Sequence, residues 1–278
     1  MTADLHCHTY CSDGSSSPEE LVAYAKQVGL EAVAITDHDT LAGVSRAVAE
    51  GDRLGIMVIP GVEFSTMDMQ RGIKVHLLCY LPTRPGILDA LCKKILPSRD
   101  RSFRKSLEKV AENYPVSQEQ VMLYAANSTC LYQVHIMRAL IEMGYTDQIY
   151  GSLYRELLGD GGSCKISHTY LDVWETAACI RKAGGVCVMA HPSVYHSIET
   201  MKDMAAKGML DGIEHHYPRM REEDTAIIEE TIERYHLIPT GGTDFHGAYS
   251  SLPRPVGFCT TQDDALERIF ALAASRSL

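Results

Sequence analysis

Short apolar runs alternate along the chain with stretches in which apolar residues recur every three or four positions. The runs at residues 3–5, 31–36, 56–59, 73–80, 185–190, 210–214, 237–240 and 256–260 read as strands, several of them apolar throughout, as in a parallel sheet covered on both faces. Helical periodicity lies between them, at 41–54, 172–183, 197–207, 222–235 and 263–274. The first helix carries its own start signal. In Ser17-Pro18-Glu19-Glu20 a hydroxyl cap precedes Pro, with Glu three residues after the cap, and Gly29 closes the helix. Strand and helix alternating in this way define βα units. The alternation stops between residues 82 and 165, where helical patterns at 88–95, 100–113, 117–126 and 133–143 follow one another without strands. The expectation is an α/β barrel domain made of residues 1–81 and 166–278, with an inserted helical subdomain at 82–165. About seven or eight strands are enough to close a (β/α) barrel, and an open doubly wound sheet is the alternative.

Composition narrows the classes. Of 278 residues, 36 are acidic and 26 basic, a net charge of −10 that opposes duplex-DNA binding. No apolar stretch approaches the roughly 20 residues a bilayer requires, and Met1-Thr2-Ala3-Asp4 has no export-signal character, so a soluble cytoplasmic protein is expected. Nine Cys without a C-x-x-C pattern suit a reducing compartment, with thiols as small buried groups. No G-x-G-x-x-G or P-loop follows a strand, which removes the usual dinucleotide and nucleoside-triphosphate readings.

The chemistry gathers where parallel α/β folds place it, at the carboxyl ends of strands. His6-Cys7-His8 ends the first strand and Asp37-His38-Asp39 the second; Glu63 follows the third, His191 ends the run at 185–190, and Asp244-Phe245-His246 follows the run at 237–240. His76 lies inside the run at 73–80. In extended chain, alternate side chains share a face, so each H-x-H or D-x-H pair can grip one ion while Cys7 points the other way, into the core. Imidazole with carboxylate suits Zn²⁺, Mn²⁺ or Fe²⁺. Lone His135, His168, His196, His215, His216 and His236 read as structural, and Asp39 as a helix cap.

These residues fall in motifs: D-L-H-C-H-T with S-D-G-S-S-S-P, then A-I-T-D-H-D-T, P-G-V-E-F-S, M-A-H-P and G-T-D-F-H-G. Together they resemble the polymerase and histidinol phosphatase (PHP) family from residue 4 to about residue 247. Within it, L-G-D-G-G at 158–162 is similar to the TrpH-like branch of metal-dependent phosphoesterases, which holds nucleotide phosphatases and small-RNA exonucleases. The resemblance implies a distorted seven-stranded (β/α) TIM-like barrel with three divalent metal ions in a cleft. His6, His8, Glu63 and Asp244 would hold the first; Asp13, His38 and His246 the second; Glu63, shared with the first, His76 and His191 the third. Three carboxylates would offset much of that charge. Glu63 and His191 enter the catalytic set as ligands, and Asp37 as a residue orienting a ligand His.

The implied reaction is hydrolysis of a phosphate monoester by metal-activated water, on a small phosphorylated substrate such as a nucleoside monophosphate or 3′,5′-bisphosphate. The alternatives are 5′–3′ exonuclease action on short RNA, histidinol-phosphate hydrolysis, and a non-catalytic metal-stabilised binding module. Two cations of the nucleotide-phosphatase branch are missing, since Gln133 and Val194 stand in their places. His135, Arg254 and Lys165 are the substrate-contact candidates, and Arg219, a further possible replacement, reads as solvated surface. The run Arg99, Arg101, Arg104, Lys105 and Lys109 reads as a solvated helix face answered by Glu108 and Glu112, or else as a rim tracking RNA phosphates.

Overall fold

A computed structural model describes residues 2–252 and 254–277. Among the described residues there are eight strands, β1 (Ala3–Asp4), β2 (Ala32–Ile35), β3 (Met57–Asp68), β4 (Ile73–Tyr80), β5 (Leu171–Asp172), β6 (Val186–Ala190), β7 (Gly212–His216) and β8 (Ile238–Gly241). Seven form a nearly closed barrel in the order β1-β2-β3-β4-β6-β7-β8, and β5 pairs with β3 outside that path. The flanking trios run parallel, whereas β4 is antiparallel to both β3 and β6. The connection at 69–72 dictates this: Gly72, at φ +67°, returns its N–H to the Asp68 carbonyl at 2.8 Å, and so short a turn can join only antiparallel neighbours. One reversed strand is what distorts the barrel.

The seam between β8 and β1 is closed by few bonds. Leu5 donates to the Gly241 carbonyl at 3.3 Å, the Phe245 amide to His6 O at 3.2 Å and the His8 amide to Phe245 O at 2.8 Å, while Thr261 bridges Ala3 and Gly241. The run at 256–260, expected as a strand, is instead turn: Gly257 sits at φ +82° and its N–H goes to the Asp4 carboxylate, leaving Thr261 as the one bridging residue.

Strand β3 is longer than the apolar run at 56–59, continuing through Pro60-Gly61 to Asp68. Here Gly61 stays in the sheet for a packing reason: a Cβ there would lie 2.9 Å from Cys79 O and 3.1 Å from Ile35 O. Along β3, Val62 and Phe64 point outward into a cluster with Leu77, Val173 and Met189, while Ile59, Leu78, Tyr80 and Val188 fill the lumen with Leu266 and Ile269 of α10 (Asp263–Ser275) beneath.

Helices α1 (Pro18–Gln27), α2 (Val44–Leu54), α7 (Val173–Lys182), α8 (Ile198–Ala206), α9 (Glu222–Tyr235) and α10 cover the outside. The capping box at Ser17 and Glu20 forms as the sequence indicates. Between β4 and β5 lie only helices: α3 (Pro85–Ala111), α4 (Gln118–Tyr124), α5 (Gln133–Glu142) and α6 (Ser152–Leu157). The two helices expected at 88–95 and 100–113 are one, continuing through Pro97. Its first half packs Leu88, Leu91 and Cys92 on the barrel, and its second half packs Phe103, Leu107 and Val110 among α4, α5 and α6. Arg99 sits at that changeover and is buried, not solvated: its guanidinium pairs with Asp39 at 2.6 Å and bonds Tyr132 OH at 3.0 Å. Asp39 is therefore no helix cap; the N-cap of α2 is Gly43, and Asp39 also accepts the Ser65 N–H. Among the described residues no helix is long and apolar enough to cross a membrane.

Candidate metal centre

Alternation in the segment after β1 buries Cys7 beside Leu21 and Phe245 and turns His6 and His8 to the barrel mouth. Glu63, mid-strand in β3, faces the same space, and His76 of β4 joins it because its register partner is Ser65, two residues along from Glu63. His191 and Asp244 follow β6 and β8 directly or closely, at φ +27° and +54°, a left-handed backbone that non-glycine residues adopt at a cost of order 1–3 kcal/mol. The surrounding bonds hold them there.

All nine predicted ligands converge. Oε2 of Glu63 lies 3.1 Å from His6 Nε2, 3.1 Å from His8 Nε2 and 3.2 Å from His38 Nδ1. Its Oε1 meets His76 Nδ1 at 2.8 Å and His191 Nε2 at 2.9 Å. Asp244 Oδ1 stands 3.6 Å from His6 Nε2 and 3.4 Å from His8 Nε2, and Asp13 stands 3.4 Å from His246, 3.7 Å from His8 and 3.9 Å from His38. Three sets of ligand atoms are thus close enough to hold an ion: His6-His8-Glu63-Asp244, His8-Asp13-His38-His246 and His38-Glu63-His76. The sets differ from the implied ones in that His8 and His38 each face two of them, and His191 reaches the last through Glu63.

Whether a cation fits can be judged from the protein atoms. Glu63 Oε2 is buried and accepts no hydrogen bond although three imidazole nitrogens crowd it, and His6 Nε2 and His8 Nε2 are only 3.1 Å apart. A buried carboxylate oxygen is rarely left so. Nitrogen lone pairs converging with an unpartnered carboxylate oxygen form the donor set of a divalent ion. The protonation equilibria show the same strain. Burial opposes charge everywhere, yet His6, His38 and His76 hold the Glu63 carboxyl well below the ordinary range, and against a burial that lowers it, hydrogen bonds and charge from Asp244, Glu63 and Asp13 raise His8 to about 10. Burial drives His38 well below its ordinary value.

Two positioning residues frame this cluster. Glu214, buried on β7, accepts from His6 Nδ1 at 3.0 Å and from the His191 amide at 2.8 Å, fixing Nε2 of His6 as the free lone pair. Asp4 accepts from the amides of His6 and Thr243 at 3.2 and 2.9 Å and so ties the two ligand pairs together. Neither is evident in the sequence; the hint is an acidic residue inside an otherwise apolar strand. Asp37 does not orient a ligand imidazole as expected. Its carboxylate accepts from the Thr9 amide, the Thr9 hydroxyl and the Ser12 hydroxyl, each at 2.7 Å, and thereby shapes the loop that presents Asp13.

A cleft of about 990 Å³ opens over the cluster. Lys165 lines it but is paired with Asp160, which also meets Lys74. Arg254 lines it half-buried with no hydrogen bond or ion pair given by any described residue. Arg219, read as solvated surface, instead reaches Asp244 Oδ2 at 2.6 Å over the cluster. His135 is fully buried behind the wall and accepts the Tyr132 amide at 3.1 Å, so it is a helix-start residue of α5 and not a substrate contact.

A barrel mouth with this donor set defines a metal-dependent hydrolase, and comparison with known proteins agrees. The PHP domain model matches residues 4–183. A phosphoribosyl 1,2-cyclic phosphate 1,2-diphosphodiesterase of Eggerthella lenta is 38% identical over 93% of this chain and 98% of its own length. A 5′-3′ exoribonuclease of Haemophilus influenzae is 30% identical over 87% of this chain and 89% of its own. A solved structure from Bifidobacterium adolescentis, assigned as a metal-dependent phosphoesterase, matches with TM-score 0.90 and 28% identity, covering 97% of this chain and 96% of that one. The chain belongs to the PHP domain family, among its metal-dependent phosphoesterases.

Proposed function

We propose that the chain hydrolyses phosphoester bonds of a small ribose derivative carrying two phosphate groups, with a cyclic phosphodiester on a phosphorylated ribose as first choice. The observation that carries this is the pairing of a floor and a rim: Glu63, ringed by five imidazoles, lies beneath a cleft edged by Arg219 and the unpartnered Arg254. The full-length likeness to the Eggerthella lenta enzyme supports the diester over the simple monoester.

His6, His8, Asp13, His38, Glu63, His76, His191, Asp244 and His246 would hold three divalent ions drawn from Mn²⁺, Zn²⁺ and Fe²⁺. When bound, such ions supply an activated water near neutral pH and neutralise charge on phosphoryl oxygens. The protein's own groups do the rest. Glu63 is the shared anion that lets cations sit close together, and Glu214 keeps Nε2 of His6 aimed at them. Arg254, and the guanidinium face of Arg219 not engaged by Asp244, would receive the second phosphate, a role suited to the planar fork of arginine. Burial holds the Tyr195 hydroxyl protonated, leaving a donor beside His76 and His191. Placing both phosphates fixes the ribose between them.

The test is hydrolysis with Mn²⁺ of phosphoribosyl 1,2-cyclic phosphate, adenosine 3′,5′-bisphosphate, AMP, histidinol phosphate and short 5′-phosphorylated RNA, with products separated by chromatography: one water opens the cyclic diester to a monoester, a second water is needed to free inorganic phosphate, and exonuclease action yields nucleoside monophosphates. The cyclic compound should exceed AMP in kcat/KM by at least roughly tenfold. Arg254→Ala should raise KM for doubly phosphorylated substrates about 10- to 100-fold, the worth of a charged hydrogen bond, and leave AMP hydrolysis nearly unchanged. Equal losses on both substrate types would remove the second-phosphate role. Faster turnover of RNA than of any small ester would favour exonuclease action, which the 30% identical relative supports. Against it, exposed Arg101, Lys105 and Lys109 of α3 do not line the cleft. Glu214→Gln should weaken metal binding about 10- to 100-fold with the fold intact, measured by competition with a chromogenic chelator; an unchanged affinity would show that Glu214 merely fills space.

A further inference from the structure

The proposed ligands are not all supported from the same side of the molecule. His6, His191 and Asp244 are fixed by the barrel alone, through Glu214 and Asp4. The segments carrying Asp13, His38 and His246 are gripped by the helical segment between β4 and β5. Thr129 donates its amide to Cys11 O at 3.0 Å, and Ser128 its hydroxyl to Ser12 O at 2.6 Å, immediately before Asp13. Tyr132 donates its hydroxyl to the carbonyl of His38 at 3.0 Å. That hydroxyl in turn accepts from Arg99, whose other terminal nitrogen holds Asp39, the residue after His38. Tyr249, whose amide bonds His246 O at 3.3 Å, buries its ring in the helical segment's own apolar cluster. Three ligands from three distant loops thus share one external scaffold.

We infer that the helical segment builds the Asp13-His38-His246 site, with Tyr132 and Arg99 as its positioning residues, so that the affinity for this ion depends on that segment more steeply than the affinity for the ions held by His6, Glu63, His76, His191 and Asp244, with which it shares His8 and His38. The inference rests on the ligand reading above. Its physical basis is that Tyr132 holds the carbonyl of His38 and Arg99 of α3 pairs with the Asp39 carboxylate, whereas Glu63 and His76 stand on strands and His6, His191 and Asp244 on segments held by Glu214 and Asp4. Small movements of the helices would then alter this site most and reach the others only through the shared His8 and His38. Outer contacts of this kind govern ligand orientation and, when removed, typically weaken metal binding about 10- to 100-fold.

The experiment is titration of chelator-stripped full-length protein with Mn²⁺, with bound metal counted per chain and affinities obtained by chelator competition. In Tyr132→Phe, which deletes one oxygen and keeps the ring in place, one equivalent should weaken about 10- to 100-fold while the others weaken by no more than about threefold. Arg99→Lys, which retains charge opposite Asp39 but cannot also span to Tyr132, should weaken the same equivalent, and Glu214→Gln should weaken the others and spare it. Cooperative thermal unfolding of each variant establishes that it is folded; should Arg99→Lys fail to fold, Tyr132→Phe alone decides. A Tyr132→Phe isotherm superimposable on wild type, or a parallel weakening of every equivalent, overturns the inference. Wild-type protein binding fewer than two tight equivalents overturns the ligand reading itself, and the inference with it.

Discussion

Glu63→Gln protein should release phosphate at least about 10³-fold more slowly than wild type while remaining folded, a loss at the upper end of that seen when one electrostatic stabiliser is removed from an active site. The exchange keeps the volume of the side chain and removes its charge. Five imidazoles lose their shared anion, and the new amide N–H₂ points donors at nitrogens that need to present lone pairs to a cation. Metal per chain should fall with activity, which separates this cause from a mere change in the substrate site. His135→Asn is the control. Its side chain is buried and receives only the Tyr132 amide, so the expected cost is about 1 kcal/mol of stability, as for a lost cap, with turnover little changed. Comparable losses of activity in the two variants would contradict the placement of Glu63 at the centre of the reaction.

Removing metal from the wild-type protein should abolish turnover and lower the melting temperature by about 10 °C. A ligand present at 1,000 times its Kd contributes about 4 kcal/mol to the folded state, and in a protein of this size each kcal/mol moves the midpoint by roughly 2–4 °C. The cluster gives the effect its direction. Without cations, the buried charges of Glu63, Asp244 and Asp13 are answered by protonating His6 and His8 against the cost of burial, so the metal-free protein keeps several buried ionised groups that unfolding would hydrate. Differential scanning fluorimetry with and without chelator, followed by Mn²⁺ add-back, measures it; a midpoint indifferent to chelator would show that the ions are not structural partners of the fold.

What could be read beforehand followed from short-range rules. Two-residue spacing fixed the common face of His6 with His8, and uninterrupted apolar runs such as Val186–Ala190 marked barrel strands. What could not be read depended on pairings across the chain. Asp39 looks like any acid ahead of a helix until Arg99 arrives from α3 to pair with it, and Arg99 looks solvated within a basic run until that pairing buries it. Glu214 carries no local signature, since its role is defined by His6, 208 positions away. Residues 256–260 have a strand's composition, but Gly257 turns there because the Asp4 carboxylate offers its amide a better partner than a neighbouring strand would. Strand β3 continues past the apolar run at 56–59 through Gly61, and the crowding by Cys79 and Ile35 that requires glycine there comes from two other strands, beyond the reach of local pattern.

The sparse β8–β1 seam bears on how the molecule is born. Asp4 and Thr243, whose contact joins the two ends of the ring, are 239 positions apart, and Thr261 must be present before Ala3 has its second partner, across the seam. During synthesis the ribosome therefore delivers the first histidine pair long before the acid that completes their pocket. A nascent chain would not hold an ion firmly in that pocket until Asp244 had been made, so loading of a cation would wait on the closing of the ring.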